Sequence, residues 1–441
     1  MTGERKSLRQ LFIPICLETL CYMLAGMVDT LMLSSVGDKA VGAVGTANTY
    51  IGIFIIMFSV ISSGMTAVMS QYIGAGRIGV AYQARQLGLI FNSIIGVVLS
   101  IILLGFSGQI LEMVGVAELL MSYAKTYLQI VGGTCILNAL IPIFSSYLRA
   151  FGYTKEPLAA TLVGNVLNLI LNAVFLYGFH MGVVGVAIAT VISRVVNLLI
   201  IIIAAYRLIH AKKEPERLSN RTLFGQIVKI GLPSALESAC YNVAMTLVIR
   251  FLNQMDANGV NVTARSYAAQ ITNFSFCVGA ALAQANAIMT GWRIGAGKYE
   301  ACDKGTKKAA LIGILVAAIF ATLIAMSSGV LMRLFTDDPS MIALVEKLLV
   351  IDIALEIGRV GNLVFGNALK TSGDALFTTI IAVIFMYLCA VGGTYFFGIH
   401  LELLVVGAYI GMTIDECIRA VCMFFRWQSG KWRKKALISR D

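Results

Sequence analysis

Charge is scarce in this chain: of 441 residues only 13% are Asp, Glu, Lys or Arg, while 58% are hydrophobic. A soluble domain carries roughly a quarter charged residues, so ordinary globular and disordered classes are excluded. Histidine is scarcer still, and His180, His210 and His400 lie too far apart for a metal centre. Nine cysteines include no C-x-x-C, and most of them fall in apolar stretches, where they read as small packing residues. A phosphate loop is missing too: Gly295-Ala296-Gly297-Lys298 has no glycine five residues before Gly297, and Tyr299 stands where Ser or Thr is needed. No nucleotide, resident cofactor or metal is therefore expected, beyond a sodium ion at the carboxylate described below. No constellation of nucleophile, acid/base and metal groups gathers at one membrane face, so the chain is not expected to be an enzyme.

Apolar sequence fills the space instead. Runs such as Leu87 to Leu104 and Leu158 to Phe179 are continuously apolar, long enough to cross a hydrocarbon core of about 30 Å as a helix and unlike the alternating ten-residue strands of a barrel. The spacing predicts an all-α membrane protein of twelve spans, at roughly 8–35, 45–72, 83–108, 120–148, 157–179, 182–209, 225–253, 263–292, 309–333, 343–368, 375–398 and 402–426. The charged first ten residues lead straight into the first span without a signal-peptide cleavage pattern, so that helix is expected to remain.

A formal charge of +11 invites a nucleic-acid reading, but the placement of the bases decides otherwise. Of the 34 Lys and Arg residues, 25 fall on the side shared by both termini and six on the other, leaving Arg194, Arg359 and Arg419 at membrane depth. Basic loops stay cytoplasmic, which places both termini inside and makes the excess a matter of topology, with no nucleic-acid partner. Asn261-Val262-Thr263 fits a glycosylation acceptor on the outer side.

The chain is also internally duplicated. An offset of 219 puts Pro14 on Pro233, Glu18 on Glu237, Cys21 on Cys240 and Tyr22 on Tyr241. Two extra residues later, Gly74-Ala75-Gly76-Arg77 meets Gly295-Ala296-Gly297-Lys298 and Arg149-x-x-Gly152 meets Lys370-x-x-Gly373; near the end Gly178-Phe179-His180 falls on Gly398-Ile399-His400. Six helices, residues 1–210, are expected to be joined by a polar cytoplasmic linker, 211–221, to six more with a basic tail, 222–441. Six being even, the halves run parallel, an arrangement that suits two lobes rocking about a central cleft. A bundle such as a channel is the blander alternative. The repeated Gly-Ala-Gly reads as a tight turn closed by a basic residue.

Charge at membrane depth is costly and marks candidate sites. Asp29 lies in the outer part of span one; Asn165, Asn168 and Asn172 share one face of span five at i, i+3 and i+7, and Thr190 of span six reaches a comparable depth. Oxygen ligands of this kind suit a hard cation such as sodium, and a lone carboxylate in an apolar pocket can also carry a proton. The alternative is that the amides only glue helices together. Asp29 corresponds to Val248 in the second half, which carries a different set: Asp352, Glu356 and Arg359 on one face of span ten, and Asp415, Glu416 and Arg419 on span twelve. Arg359 and Glu416 are expected at similar depth, within pairing reach. Such a network acts either as a latch or as a static clamp. Glu237, four residues after Pro233, is placed in a substrate cleft. Met65, Phe274 and Phe276 suit an adaptable apolar wall but more often pack in core or against lipid.

These residues resemble the multidrug and toxic compound extrusion family, within the superfamily that includes lipid-linked oligosaccharide flippases. The run from Pro14 through Val28-Asp29-Thr30 to Gly37, then Gly74-Ala75-Gly76, is similar to the family's opening; Leu148-Arg149-Ala150-Phe151-Gly152 with Pro157, and Leu369-Lys370-Thr371-Ser372-Gly373-Asp374, are similar to its motifs after spans four and ten. The resemblance covers nearly the whole chain. It implies a V-shaped pair of six-helix lobes in a bacterial cytoplasmic membrane, exporting organic, often cationic, compounds in exchange for sodium or protons. It also implies coupling-ion binding at Asp29, Asn168, Asn172 and Thr190. Two departures stand out: Asn172 occupies a place where some members have a second carboxylate, and Arg359 one where a branch has an acid. The run Glu356-Ile357-Gly358-Arg359 and the ending from Asp415-Glu416 through Arg419, Arg426-Trp427 and Trp432 resemble another bacterial branch.

The leading expectation is a secondary antiporter for a small organic substrate; the alternative is a flippase for a lipid-linked saccharide, which would need a strongly basic cleft.

Overall fold

In hydrocarbon every backbone N–H and C=O needs an internal partner, so apolar runs of this length wind into helices. The computed structural model describes residues 6–113, 116–209, 217–256, 258–333 and 335–438, and among these residues there is no strand. The helices are α1 (Leu8–Ser34), α2 (Asp38–Gly74), α3 (Ile78–Gly105), the short α4 (Ser107–Met113), α5 (Glu118–Tyr127), α6 (Cys135–Ala150), α7 (Lys155–Ala173) and α8 (Gly182–Leu208), followed by α9 (Asn220–Met255), α10 (Val260–Gly295), α11 (Tyr299–Met332), α12 (Pro339–Ser372), α13 (Ala375–Phe385) and α14 (Leu404–Gln428). A capping box opens α1: Ser7 Oγ accepts from the Gln10 amide, and Gln10 Oε1 accepts from the Ser7 amide at 2.9 Å.

Twelve spans result, in two sets of six. The fourth is bent by 44° where α5, extended by a π-helical turn at Leu128–Gly132, meets α6. Among the described residues nine helices are long and apolar enough to cross a membrane unaided, ten with the bent pair. The other two, α12 and α14, are the helices that carry Asp352, Glu356 and Arg359 and Asp415, Glu416 and Arg419. Large aliphatic side chains such as Leu31, Ile101, Leu311, Ile319, Met326 and Val330 face outward, as a lipid-bathed surface requires.

The chain forms two compact units, residues 1–232 and 233–441, each with its own core. Leu33, Ala47, Phe58, Leu103 and Tyr127 belong to the first core, and Val248, Leu252, Ala268, Leu348 and Leu355 to the second. The first turns of α9 count with the first unit. Phe224 stacks on Phe91 with ring centroids 3.9 Å apart, and Tyr72 Oη bonds Gln226 Oε1 at 3.1 Å. A Cβ on Gly231 would fall 1.7 Å from the Val60 carbonyl oxygen, so α2 and α9 touch backbone to backbone, and only glycine fits there. Of the expected linker, residues 211–216 lie outside the described residues, as do Arg5 and Arg440 of the basic termini.

The repeat is visible in the geometry. Gly76 and Gly297 have φ of +80° and +74°, Gly152 and Gly373 +84° and +100°, so the duplicated motifs are left-handed turns in which glycine is required. Toward the end of each unit a Cβ on Gly185 would meet Phe175, and one on Gly407 would meet Phe397, both pairs being 222 residues apart. That register differs by two from the alignment of Gly178 on Gly398, in a region where the second copy winds through π turns at Met386–Val391 and Thr394–His400. The glycosylation reading of Asn261 meets an obstacle in its surroundings. The residue is 3% exposed, its Nδ2 donates to Asp256 and its Oδ1 accepts from the Val405 amide at 3.2 Å, which ties the start of α10 to that of α14. After α14 the chain turns back at Lys431–Lys435, and Trp432 stacks on Trp427 at 4.2 Å; Trp427 Nε1 donates to Asp303 at 2.8 Å, and Arg426 holds Asp374 through two bonds of 2.7 and 3.2 Å.

Candidate functional site

Each unit holds a polar cavity among its described residues. That of the first unit is about 440 Å³ and is lined from α1 by Asp29, from α7 by Asn165 and Asn168, and from α8 by Thr190, Ser193, Arg194 and Asn197. Asn172 lies just behind, fully buried; its Nδ2 donates to Asp29 Oδ1 at 2.8 Å and to Asn168 Oδ1 at 3.2 Å. The three residues are thus in one hydrogen-bonded chain, because α1 and α7 pack side by side and Asn168 and Asn172 are one turn apart. Thr190 donates its hydroxyl to the Val186 carbonyl at 2.9 Å, so toward a ligand its oxygen can only accept. Asn172 Oδ1 is buried without a partner among the described residues. A carboxylate, amide oxygens and a hydroxyl within one cavity form an all-oxygen donor set. Asn165, on the same face, instead donates to the Cys21 carbonyl at 3.0 Å and joins α7 to α1.

The cavity of the second unit is about 430 Å³ and is ionic. Arg359 pairs with Glu356 one turn earlier and stands 3.6 Å from Glu416 on α14. Arg419 holds Asp415 through two bonds of 2.9 and 2.6 Å and lies 3.0 Å from Glu416. Ser275 donates to Glu356 at 2.9 Å, and Asn362 donates to Glu416 at the same distance. Five of these six charged side chains therefore make one connected network between α12 and α14; Asp352 lines the same cavity outside it. Buried charges with this many partners are costly to disturb singly, by about 3–5 kcal/mol when one partner is removed. Glu237 also lines this cavity, and Lys370 Nζ pairs with it at 2.9 Å. The same pair exists in the first unit, where Arg149 meets Glu18 at 2.6 Å.

The MatE family pattern matches residues 14–174 and 233–396, one segment in each unit. The chain belongs to the MatE family. Its relatives include an uncharacterized transporter, YisQ, of Bacillus subtilis, 34% identical over 98% of this chain and 96% of its own length. A probable multidrug resistance protein, NorM, of Thermotoga maritima is 27% identical over 99% and 95%. Among solved structures, a MATE protein in the bent conformation superposes with a TM-score of 0.88 at 22% identity, covering 97% of this chain and 96% of its own. An outward-facing MATE transporter of the MOP superfamily gives the same score at 21% identity, with the same coverage. At those identities the likeness shows the fold. As a MatE chain, the protein is a multi-pass membrane transporter.

Sequence reasoning overlooked the amides of the first MatE cavity: Asn48, Asn138 and Asn197 line it from α2, α6 and α8. Arg194, expected at membrane depth, lines it too, and its Nη1 is buried without a partner among the described residues. In the second cavity, Arg265 from α10 lines the wall although its place in the sequence put it with the loop bases. Single polar residues on helices carry no periodic signal. Phe276 lines the second cavity, while Met65 is fully buried in the first unit.

Proposed function

We propose that this protein is a secondary antiporter that exports organic, cationic or amphipathic compounds in exchange for sodium ions or protons by alternating access. The observation that carries the reading is the Asp29–Asn172–Asn168 chain at the wall of a cavity with Thr190: a single acid with oxygen-bearing neighbours, in a MatE chain without a phosphate-loop motif. Ion binding at Asp29 favours one conformation and substrate the other, so exchange follows from their unequal affinities. The names of relatives such as NorM and the Staphylococcus haemolyticus export protein MepA support multidrug export. The organism class of those relatives and the excess of bases near both termini support a bacterial cytoplasmic membrane with the termini inside.

The test is efflux of a fluorescent organic cation from proteoliposomes under an imposed sodium or proton gradient. Asp29→Asn is expected to abolish gradient-driven efflux, by at least tenfold, while leaving the melting curve of the purified protein close to wild type. Undiminished coupled efflux in that variant removes Asp29 from the mechanism. The flippase alternative needs a strongly basic cleft; of Arg194, Arg265, Arg359 and Arg419 the last two are matched by carboxylates, and one arginine on each cavity wall falls short of that.

A further inference from the structure

Away from both cavities, one buried charge has no opposite charge to answer it. Arg85, 3% exposed on α3, makes neither an ion pair nor a hydrogen bond with any described residue, and its Nε is buried without a partner. Three rings surround it instead: Tyr82 one turn earlier, with its centroid 4.4 Å from Cζ, Tyr147 of α6 at 4.9 Å and Tyr206 of α8 at 5.1 Å. Tyr147 Oη is a second buried polar atom without a partner among the described residues. Arg85 lies seven residues into α3, about 10 Å along the axis at about 1.5 Å per residue. Tyr147 is three residues from the end of α6, and Tyr206, 56% exposed, is two from the end of α8. All belong to the end of the unit that carries the Gly76 and Gly152 turns, near the level of the lipid headgroups.

Ring faces attract the charge of a guanidinium, yet they supply none of the in-plane oxygen acceptors that its donor edge takes. The tyrosines therefore hold Arg85 in place and leave that edge unanswered. Packing alone does not demand a cation here. With the two extra residues of the second copy Arg85 falls on Thr306, whose hydroxyl simply meets that of Thr290 at 3.3 Å. What Arg85 lacks is an anion with two oxygens, and at this depth the membrane offers one in the phosphate ester of a lipid. A headgroup with its own cation is already compensated and brings that cation toward Arg85, whereas a net-negative headgroup is not. We propose that Arg85 in its tyrosine cage binds the phosphate ester of an anionic lipid from the adjacent leaflet, with the exposed Tyr206 beside the entry. The site is separate from the export reading and does not depend on it.

Native mass spectrometry of the full-length protein in detergent, titrated with phosphatidylglycerol or phosphatidylcholine, counts bound lipids and yields the affinity of the first. Wild type is expected to bind the first phosphatidylglycerol about tenfold more tightly than the first phosphatidylcholine, the worth of one charge-assisted contact. Arg85→Gln should erase that preference by weakening the anionic lipid alone, and Arg85→Lys, which keeps the charge but not the planar fork, should retain part of it. Arg207→Gln removes an equal charge from an exposed base next to Tyr206 and should leave the preference intact. Equal binding of the two lipids by wild type, an unchanged preference in Arg85→Gln, or the same loss in Arg207→Gln overturns the inference. A soluble phosphate ester is the other source of the same chemistry, and displacement of phosphatidylglycerol by equimolar glycerol 3-phosphate would overturn the assignment to a lipid.

Discussion

The two units descend from one repeat and have solved the problem of polarity inside a membrane in opposite ways. The first surrounds a single carboxylate, Asp29, with amides and a hydroxyl, so its cavity offers oxygen donors with few fixed partners. The second binds nearly every charge to another: Arg359 is held by an acid on α12 and one on α14, and Arg419 by two acids of α14. A loosely satisfied site can exchange a ligand at little cost, whereas a cross-linked network resists change because each member leaves another uncompensated. What both units kept is the ion pair between the first helix and the motif after the fourth span, Glu18 with Arg149 and Glu237 with Lys370. The duplicated position therefore carries an ion pair in both copies, while the polar residues around it diverged.

Four substitutions can break or sharpen that comparison in thermal melts of the detergent-purified protein. The largest loss is expected for Arg419→Ala, which strands Asp415, leaves Glu416 with only Arg359 and Asn362, and should cost about 3–5 kcal/mol. A melting temperature equal to wild type would mean that the second unit is not locked by its charges. Next come the paired variants Glu18→Gln and Glu237→Gln. Glu18 is the more deeply enclosed, 3% exposed at its side chain against 21% for Glu237, so about 2 kcal/mol is expected for the first and about 1 kcal/mol or less for the second. Equal losses would show that the pairs are interchangeable despite their burial. A similarly small effect is expected for Asn168→Ala, which removes one neutral hydrogen bond and about 1 kcal/mol. The same variant should raise the ion concentration that half-saturates efflux several-fold, and an unchanged half-saturation would detach Asn168 from the coupling site.

Much of this was legible in the chain. Long apolar runs gave ten of the twelve spans, with α12 and α14 kept in the count by the duplication, and helix ends differed mainly because α2, α9, α11 and α12 extend past their apolar stretches. The face shared by Asn168 and Asn172 followed from helical spacing. The Asp29 hydrogen bond did not, because it depends on how α1 packs on α7. Glu18 and Arg149 were both noticed as repeated residues, yet their pairing across 131 positions has no signal in either motif. The bend in the fourth span was missed, for its two pieces read as one apolar run from 120 to 148.

The sequence by itself determined the class, the number of spans, the duplication and the presence of charge at membrane depth, because each follows from local composition or from comparing the chain with itself. Tertiary structure decided which charges meet. It set Arg359 beside Glu416 and Glu237 beside Lys370, left Arg265 facing a sulfur, and closed the end of the chain through the stacked Trp427 and Trp432. Helix periodicity fixes which face a side chain occupies, but the partner on that face belongs to another helix, and only packing brings the two within the few ångströms over which an ion pair forms.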